Sequence, residues 1–211
     1  MTSLIDNDVL LKGACYGLLS DFIPLDREII GVLGSAKFVV SKRIARLKLS
    51  GETASVLSRL HVFLAQSATV EPTSDEIGFA AELESTALRL GLTLDSGESL
   101  LCAVMVNRLI PSLLTGDKRA IRTIEVLLRV VPELYFIGGK VRCLEQLVLK
   151  CLERGKGPAL RAAICAESSI DRALSICFSC TSPTWVEASS FEGVSSYIAD
   201  LRSDAPTALS L

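Results

Sequence analysis

Histidine is nearly absent from this chain: its 211 residues include one, His61. Histidine-based zinc sites and the HExxH pattern are therefore excluded. A Ser-His-Asp or Cys-His nucleophile would have to use His61, which sits in the apolar stretch SRLHVFLA and reads as a residue on a helix face. No GxxxxGK[ST] phosphate loop and no GxGxxG fingerprint occurs, which removes the usual sequence handles for a nucleotide site. Aromatic residues make up 5%, so Leu, Val, Ile and Ala must fill the core, and few rings are left for base stacking. Neither charge dominates: 22 Lys and Arg against 24 Asp and Glu exclude a uniformly basic nucleic-acid coat, though not a local patch. No apolar run reaches the roughly 18–20 residues of a membrane span. The N-terminus, MTSLIDNDVLLKG, lacks the basic region of a signal peptide, so a cytoplasmic location is expected. Seven cysteines, an odd number scattered through helical pattern, are then expected as reduced thiols. Cys177 and Cys180 form a CxxC without the second pair that a structural zinc site wants, and read as small apolar residues on a buried helix.

What is present is a hydrophobic fraction of 49%, enough for one packed domain with an appendage. Residues 2–6 form a short apolar run ending in acid, and 8–19 carry helical periodicity, the pattern of a strand followed by a helix. Residues 27–49 are ambiguous: Phe38-Val39-Val40 is either a strand or part of a helix around Gly31 and Gly34. A helix over 53–66, a short strand at Ala68–Val70 and a helix capped by Thr73 or Ser74 and running to about Leu90 follow. Residues 98–109 are apolar nearly all round and predict a buried helix stopped by Pro111. Ser112–Thr115 is a further apolar run before an amphipathic helix over 118–131. Leu134–Ile137 is the next strand candidate, with a helix from about Lys140 to Arg154. Strands alternating with helices predict an α/β fold with a largely parallel sheet. The break at Gly155–Pro158 divides residues 1–155 from an extension, 156–211, with helical patterns at 159–166 and 169–180 and a last short helix between Phe191 and Leu201.

Three carboxylates hold equivalent places in this pattern: Asp6 in SLIDND, Glu98 in LDSGES and Asp117 in LLTGDKRAI. Asp6 and Asp117 each end a strand-like run before a helix, and Glu98 opens a helix. In an open parallel sheet those positions share one edge, where ligand sites form. Carboxylates gathered there repel one another unless a cation neutralises them, and an all-oxygen donor set suits Mg²⁺ or Mn²⁺ rather than zinc. Each acid also has a plain structural reading. Asp6, Asn7 or Asp8 caps the first helix, Asp95 with Glu98 fits a capping box, and Asp117 fits an N-cap.

These three segments, SLIDNDVLL, LDSGESLLCAVMV and LLTGDKRAIRTIE, resemble the PIN-domain ribonucleases, a family that includes the toxins of many bacterial toxin–antitoxin pairs. The resemblance covers roughly residues 1–137. It implies a three-layer α/β/α sandwich with a short parallel central sheet, here as a nuclease domain over 1–155 with the helical extension 156–211 packed on it. It also implies a metal-dependent endoribonuclease in which Asp6, Glu98 and Asp117 bind Mg²⁺ or Mn²⁺ and act on an RNA phosphodiester, with Asp8 as a supplementary acid. Single-stranded RNA, an antitoxin or other protein partner and a homodimer are the partners that go with it. One departure stands out. Active members carry a further acid on the helix after the second strand; if Phe38–Val40 is that strand, Ser41-Lys42-Arg43 follows, and neither Glu28 nor Glu52 sits where the pattern asks.

Lys37, Lys42, Arg43, Arg46 and Lys48 form a basic run without an intervening acid. Such a run is either a solvated helix face or, with Lys118, Arg119 and Arg122, a surface that tracks phosphates. The nucleic-acid contacts expected on the second reading are Lys42, Arg43, Arg46, Lys118 and Arg119. Two alternatives to the nuclease remain at this stage: a PIN-like binding or scaffold protein whose site has decayed, and a helical interaction module in which the acids are ordinary caps.

Overall fold

Five short strands organise the chain. In the computed structural model, which describes residues 1–22 and 29–211, β1 (Ser3–Ile5), β2 (Ile30–Leu33), β3 (Ala68–Val70), β4 (Leu113–Thr115) and β5 (Val141–Cys143) pair in parallel in the order β3-β2-β1-β4-β5. Every residue of β1, β2 and β4 is buried, as expected for strands covered by helices on both faces. From β1 the chain steps outward to β2 and β3, then returns across the sheet to β4 and steps the other way to β5. Right-handed crossovers in opposite directions place their helices on opposite faces.

The helices sort accordingly. On one side α1 (Asn7–Tyr16), α3 (Ala36–Ile44) and α4 (Thr53–Ala65) pack on one another, with the short α2 (Leu19–Phe22) against α1 and α4. On the other, α5 (Ser74–Arg89) packs on α6 (Ser96–Asn107) and α7 (Lys118–Leu127). The result is an α/β fold with a short parallel central sheet between helical layers, in agreement with the architecture the sequence implies. After β5 come α8 (Leu144–Glu153), α9 (Gly157–Ala166), α10 (Arg172–Cys177) and α11 (Glu187–Asp204). The last of these packs on α7, α8 and α10, and its Val194 and Leu201, with Leu160, Ile164, Leu174 and Phe178, join the same buried cluster as Leu4 and Ile5. The C-terminal tail lies along the free edge of β5, where Leu209 bridges Val141 and the buried Glu125 carboxylate accepts from the amides of Thr207 and Ala208, both at 2.8 Å.

One open alternative is settled and three expectations need correction. Phe38-Val39-Val40 is helix: Ala36, Val40 and Ile44 recur every four residues and are buried, while Phe38 is 74% exposed. The second strand is instead Ile30–Leu33; Glu28 lies outside the described residues. Leu134–Ile137 is not a strand but part of a 3-10 helix over Pro132–Ile137, whose buried Leu134 and Ile137 are spaced three apart, the period of that helix. The strand is Val141–Cys143, taken from the start of the helix expected at 140–154, and its two outer residues are buried around the half-buried Arg142. The cysteines are not all reduced thiols: Cys165 and Cys180 form a disulfide, while Cys15, Cys102, Cys143, Cys151 and Cys177 are free and buried. Of the CxxC, only Cys177 is thus the buried apolar residue expected.

Candidate functional site

The register of the sheet fixes the first two acids. Pairing of Ile5 with Leu114 brings the ends of β1 and β4 side by side, so Asp6 leaves the sheet next to Thr115 and Gly116-Asp117. This is the point where the strand order reverses, the crevice in which ligands of open parallel sheets bind. The start of α6 lies over the same crevice and delivers Glu98. Asp6, Glu98 and Asp117 line one cavity of about 520 Å³, together with Asp8, Asp95, Ser35, Val39, Arg43 and Arg119.

Each acid is held differently. Asp6 occupies the N-cap position of α1, but its side chain makes no capping hydrogen bond. Its Oδ2 instead accepts from the buried Thr115 hydroxyl at 3.2 Å, and that same oxygen of Thr115 accepts from the amide of Asp117. Thr115 therefore couples two of the three acids. Burial, reinforced by the charge of Asp8, raises the pKa of Asp6 to about 6. Glu98 Oε2 accepts from the Asp95 amide at 3.0 Å, so the capping reading of this residue holds while its carboxyl still faces the cavity. Burial, with the charges of Asp117 and Asp6 added, raises Glu98 to about 8 despite that amide. A carboxyl in this state is largely neutral at physiological pH unless a cation joins it.

Asp117 is the exception. It caps α7, accepting from the amides of Arg119 (2.7 Å) and Ala120 (3.3 Å), and its Oδ2 receives the Arg119 guanidinium at 2.9 Å. Burial pushes its pKa up, but the Arg119 side chain and these amides together hold it below the ordinary carboxylate range. Asp8 is likewise compensated: Lys12 lies 2.6 Å away and Arg43 3.8 Å away. Gly116 leaves room for the Asp8 carboxylate, which a Cβ at that position would force to shift.

The donor set fits a hard divalent cation in kind, being all carboxylate oxygen with two members left uncompensated. Among the described residues no group of three His, Cys, Asp or Glu side chains stands close enough to hold a metal ion. In this structure Asp117 is neutralised by Arg119.

The basic residues divide. Arg43 and Arg119 line the cavity; Lys42 and Arg46 are exposed on or just beyond α3. Lys118 points elsewhere: its Nζ lies 2.6 Å from the buried Glu145 and 4.7 Å from the centre of the Tyr197 ring. After the second strand the cavity-facing positions of α3 are Val39 and Arg43, so no acid is supplied there. His61 is exposed and contacts Ser41 at 3.2 Å, outside the cavity. Thr115, and the pairing of Arg119 with Asp117, are the features the sequence reading passed over, although both sit in the TGDKR segment already singled out.

No protein-family model and no curated protein matches the chain. Among solved structures, a chain of the crystal structure of VapBC2 from Rickettsia felis bound to a DNA fragment from their promoter is similar at a TM-score of 0.46 and 12% identity, covering 67% of this chain and 97% of that one. Among the described residues, no helix is long and apolar enough to cross a membrane.

Proposed function

We propose that this chain is a PIN-like, divalent-metal-dependent endoribonuclease acting on single-stranded RNA. The observation that carries the reading is the gathering of Asp6, Glu98 and Asp117 in one cavity at the switch point of the sheet, two of them without a counter-charge. Asp6, Glu98 and Asp117 would hold Mg²⁺ or Mn²⁺, with Asp8 at the margin. The ion, when bound, supplies activation of a water and neutralisation of phosphate charge. The chain itself does three things. The Thr115 hydroxyl pins Asp6, so one donor is positioned in advance. The guanidiniums of Arg43 and Arg119 at the cavity wall bind phosphate oxygens. Arg119, once drawn to the substrate, releases Asp117. An antitoxin partner and a homodimer belong to the same reading, through the family resemblance alone.

A second reading has its own observation. Arg119 already neutralises Asp117, and α3 turns Val39 and Arg43, not an acid, to the cavity. On this reading the site has decayed and the protein binds without cleaving. The deciding experiment incubates end-labelled single-stranded RNA with the wild type and with Asp6→Asn in Mn²⁺, Mg²⁺ or chelator. The nuclease reading requires metal-dependent cleavage that Asp6→Asn abolishes. Absence of cleavage by the wild type under every divalent ion overturns it in favour of the binding protein.

A further inference from the structure

We infer that the acidic cavity continues into a groove that seats the backbone of a single-stranded polynucleotide, one wall of which is the α9–α10 turn of the C-terminal extension; this rests on the nucleic-acid reading above. A second cavity of about 260 Å³ adjoins the first and shares Asp8 and Arg43 with it. Its far end is lined by Arg46 and Leu47 on one side and Ser169 and Ile170 on the other. A chain leaving the acids thus passes Arg43 and then Arg46, two cations in succession over an amphipathic floor. Among the described residues the Arg46 guanidinium has no partner, and Arg43 is held only loosely, 3.8 Å from Asp8. Arg46, and Arg43, which shares Asp8 with the closer Lys12, are matched by successive phosphates, while Leu47 and Ile170 offer apolar surface to ribose or base.

The two walls come from distant parts of the sequence, yet each is fastened to the other. The buried Glu167 carboxylate accepts from the amides of Ser50 (2.9 Å) and Gly51 (2.9 Å), tying the α9–α10 turn to the loop after α3. Asp171 then receives Lys12 of α1 at 2.8 Å. A groove fixed in this way needs little ordering when a strand enters, which favours affinity. The extension is therefore part of the substrate surface as well as of the core.

The test measures binding in chelator, by fluorescence anisotropy, of oligouridylate and oligodeoxythymidylate strands about three and about ten nucleotides long. The proteins are wild type, Arg46→Ala and Ser169→Trp; Ser169 is exposed, so its indole fills the groove rather than the core. The wild type should bind the longer strand at least tenfold more tightly than the shorter. Both variants should lose most of that gain, and Arg46→Ala should also reduce the salt slope by about 0.7, one single-strand phosphate contact. Preference for the ribo- or deoxyribo-strand identifies which polynucleotide the groove takes. If the wild type gains from length and both variants gain equally, the groove is overturned while the nuclease reading stands. If the wild type binds neither polymer, both fall.

Discussion

Arg119 stands two residues beyond Asp117 and grips it from the side, its Nη2 2.9 Å from Oδ2 while its own amide reaches Oδ1 at 2.7 Å. A cation supplied by the chain thus occupies the carboxylate that a metal would need. Removing the guanidinium should leave the cap intact, because the amide bonds do not depend on the side chain. Arg119→Ala is therefore expected to bind Mn²⁺ severalfold more tightly than wild type, read by calorimetry, with little change in melting temperature in chelator. Unchanged or weaker Mn²⁺ affinity would mean that Asp117 is not a ligand.

Asp117→Asn separates cap from ligand. Asparagine caps a helix about as well as aspartate, so stability without metal should shift by no more than about 0.5 kcal/mol. It lacks the charge a hard cation requires. If Mn²⁺ binds the folded wild type as proposed and raises its melting temperature, that rise should shrink sharply in the variant. An equal rise in both proteins would remove Asp117 from the site.

Glu98 makes a prediction about pH. Its folded pKa of about 8 lies well above the roughly 4.3 of an unfolded glutamate. Between those values the folded state holds a proton that the unfolded state has lost, so stability falls as pH rises through the window. Asp6, at about 6, contributes the same sign over a narrower range. In chelator, melting temperature should therefore drop more steeply from pH 5 to pH 8 in wild type than in Glu98→Gln, which retains an oxygen for the Asp95 amide. Saturating Mn²⁺ should flatten the wild-type curve. Parallel curves for the two proteins in chelator would show that Glu98 is not forced neutral.

The acids were legible because their signals are local: an apolar run, an acid, then a helix, repeated at Asp6 and Asp117, with Glu98 inside a capping pattern. The strands were less so. Phe38-Val39-Val40 has the β-branched composition of a strand, and only the spacing of Ala36, Val40 and Ile44 marks it as helix. Val141–Cys143 alternates with a period of two but is too short for three residues to be told from a helix start. What composition cannot carry at all is pairing across the chain. Lys12 with Asp171 and Glu167 with the Ser50 amide are set by packing of the extension, and no spacing rule brings them together. The same applies to Cys165 and Cys180.

That disulfide sets a measurable expectation. It closes a loop with a sequence separation of 15, which restricts the unfolded chain by about 3 kcal/mol. Reductant should lower the melting temperature of wild type by roughly 6–12 °C at this chain length. Cys180→Ala should melt at the reduced value and not respond to reductant. Alkylation of the unfolded, unreduced wild type followed by mass spectrometry should leave two cysteines unmodified; seven modified cysteines would show that the bond does not form.

Lys12 lies between Asp8, 2.6 Å away, and Asp171, 2.8 Å away, with 13% of its side chain exposed. Burial disfavours its charge, but the two carboxylates outweigh burial and raise its pKa. Asp171 is pushed up by burial and held below the ordinary range by Lys12, while its Oδ1 caps α10 through the Leu174 amide. Lys12→Met keeps the length of the side chain and deletes the charge, leaving two enclosed acids facing each other. Breaking such an arrangement from one side costs about 3 kcal/mol or more. The loss should depend on pH with a defined sign. In the variant Asp171 loses the cation that holds its pKa down, so the deficit against wild type should be small near pH 4 and grow towards pH 7. Urea denaturation at the two pH values measures it. Adding Asp171→Asn to Lys12→Met should return part of the stability at pH 7, because one of the two repelling charges is gone while an oxygen remains to cap α10. A deficit equal at both pH values would mean that Lys12 contributes packing through its alkyl chain and not the charge that joins the extension to the margin of the acidic cavity.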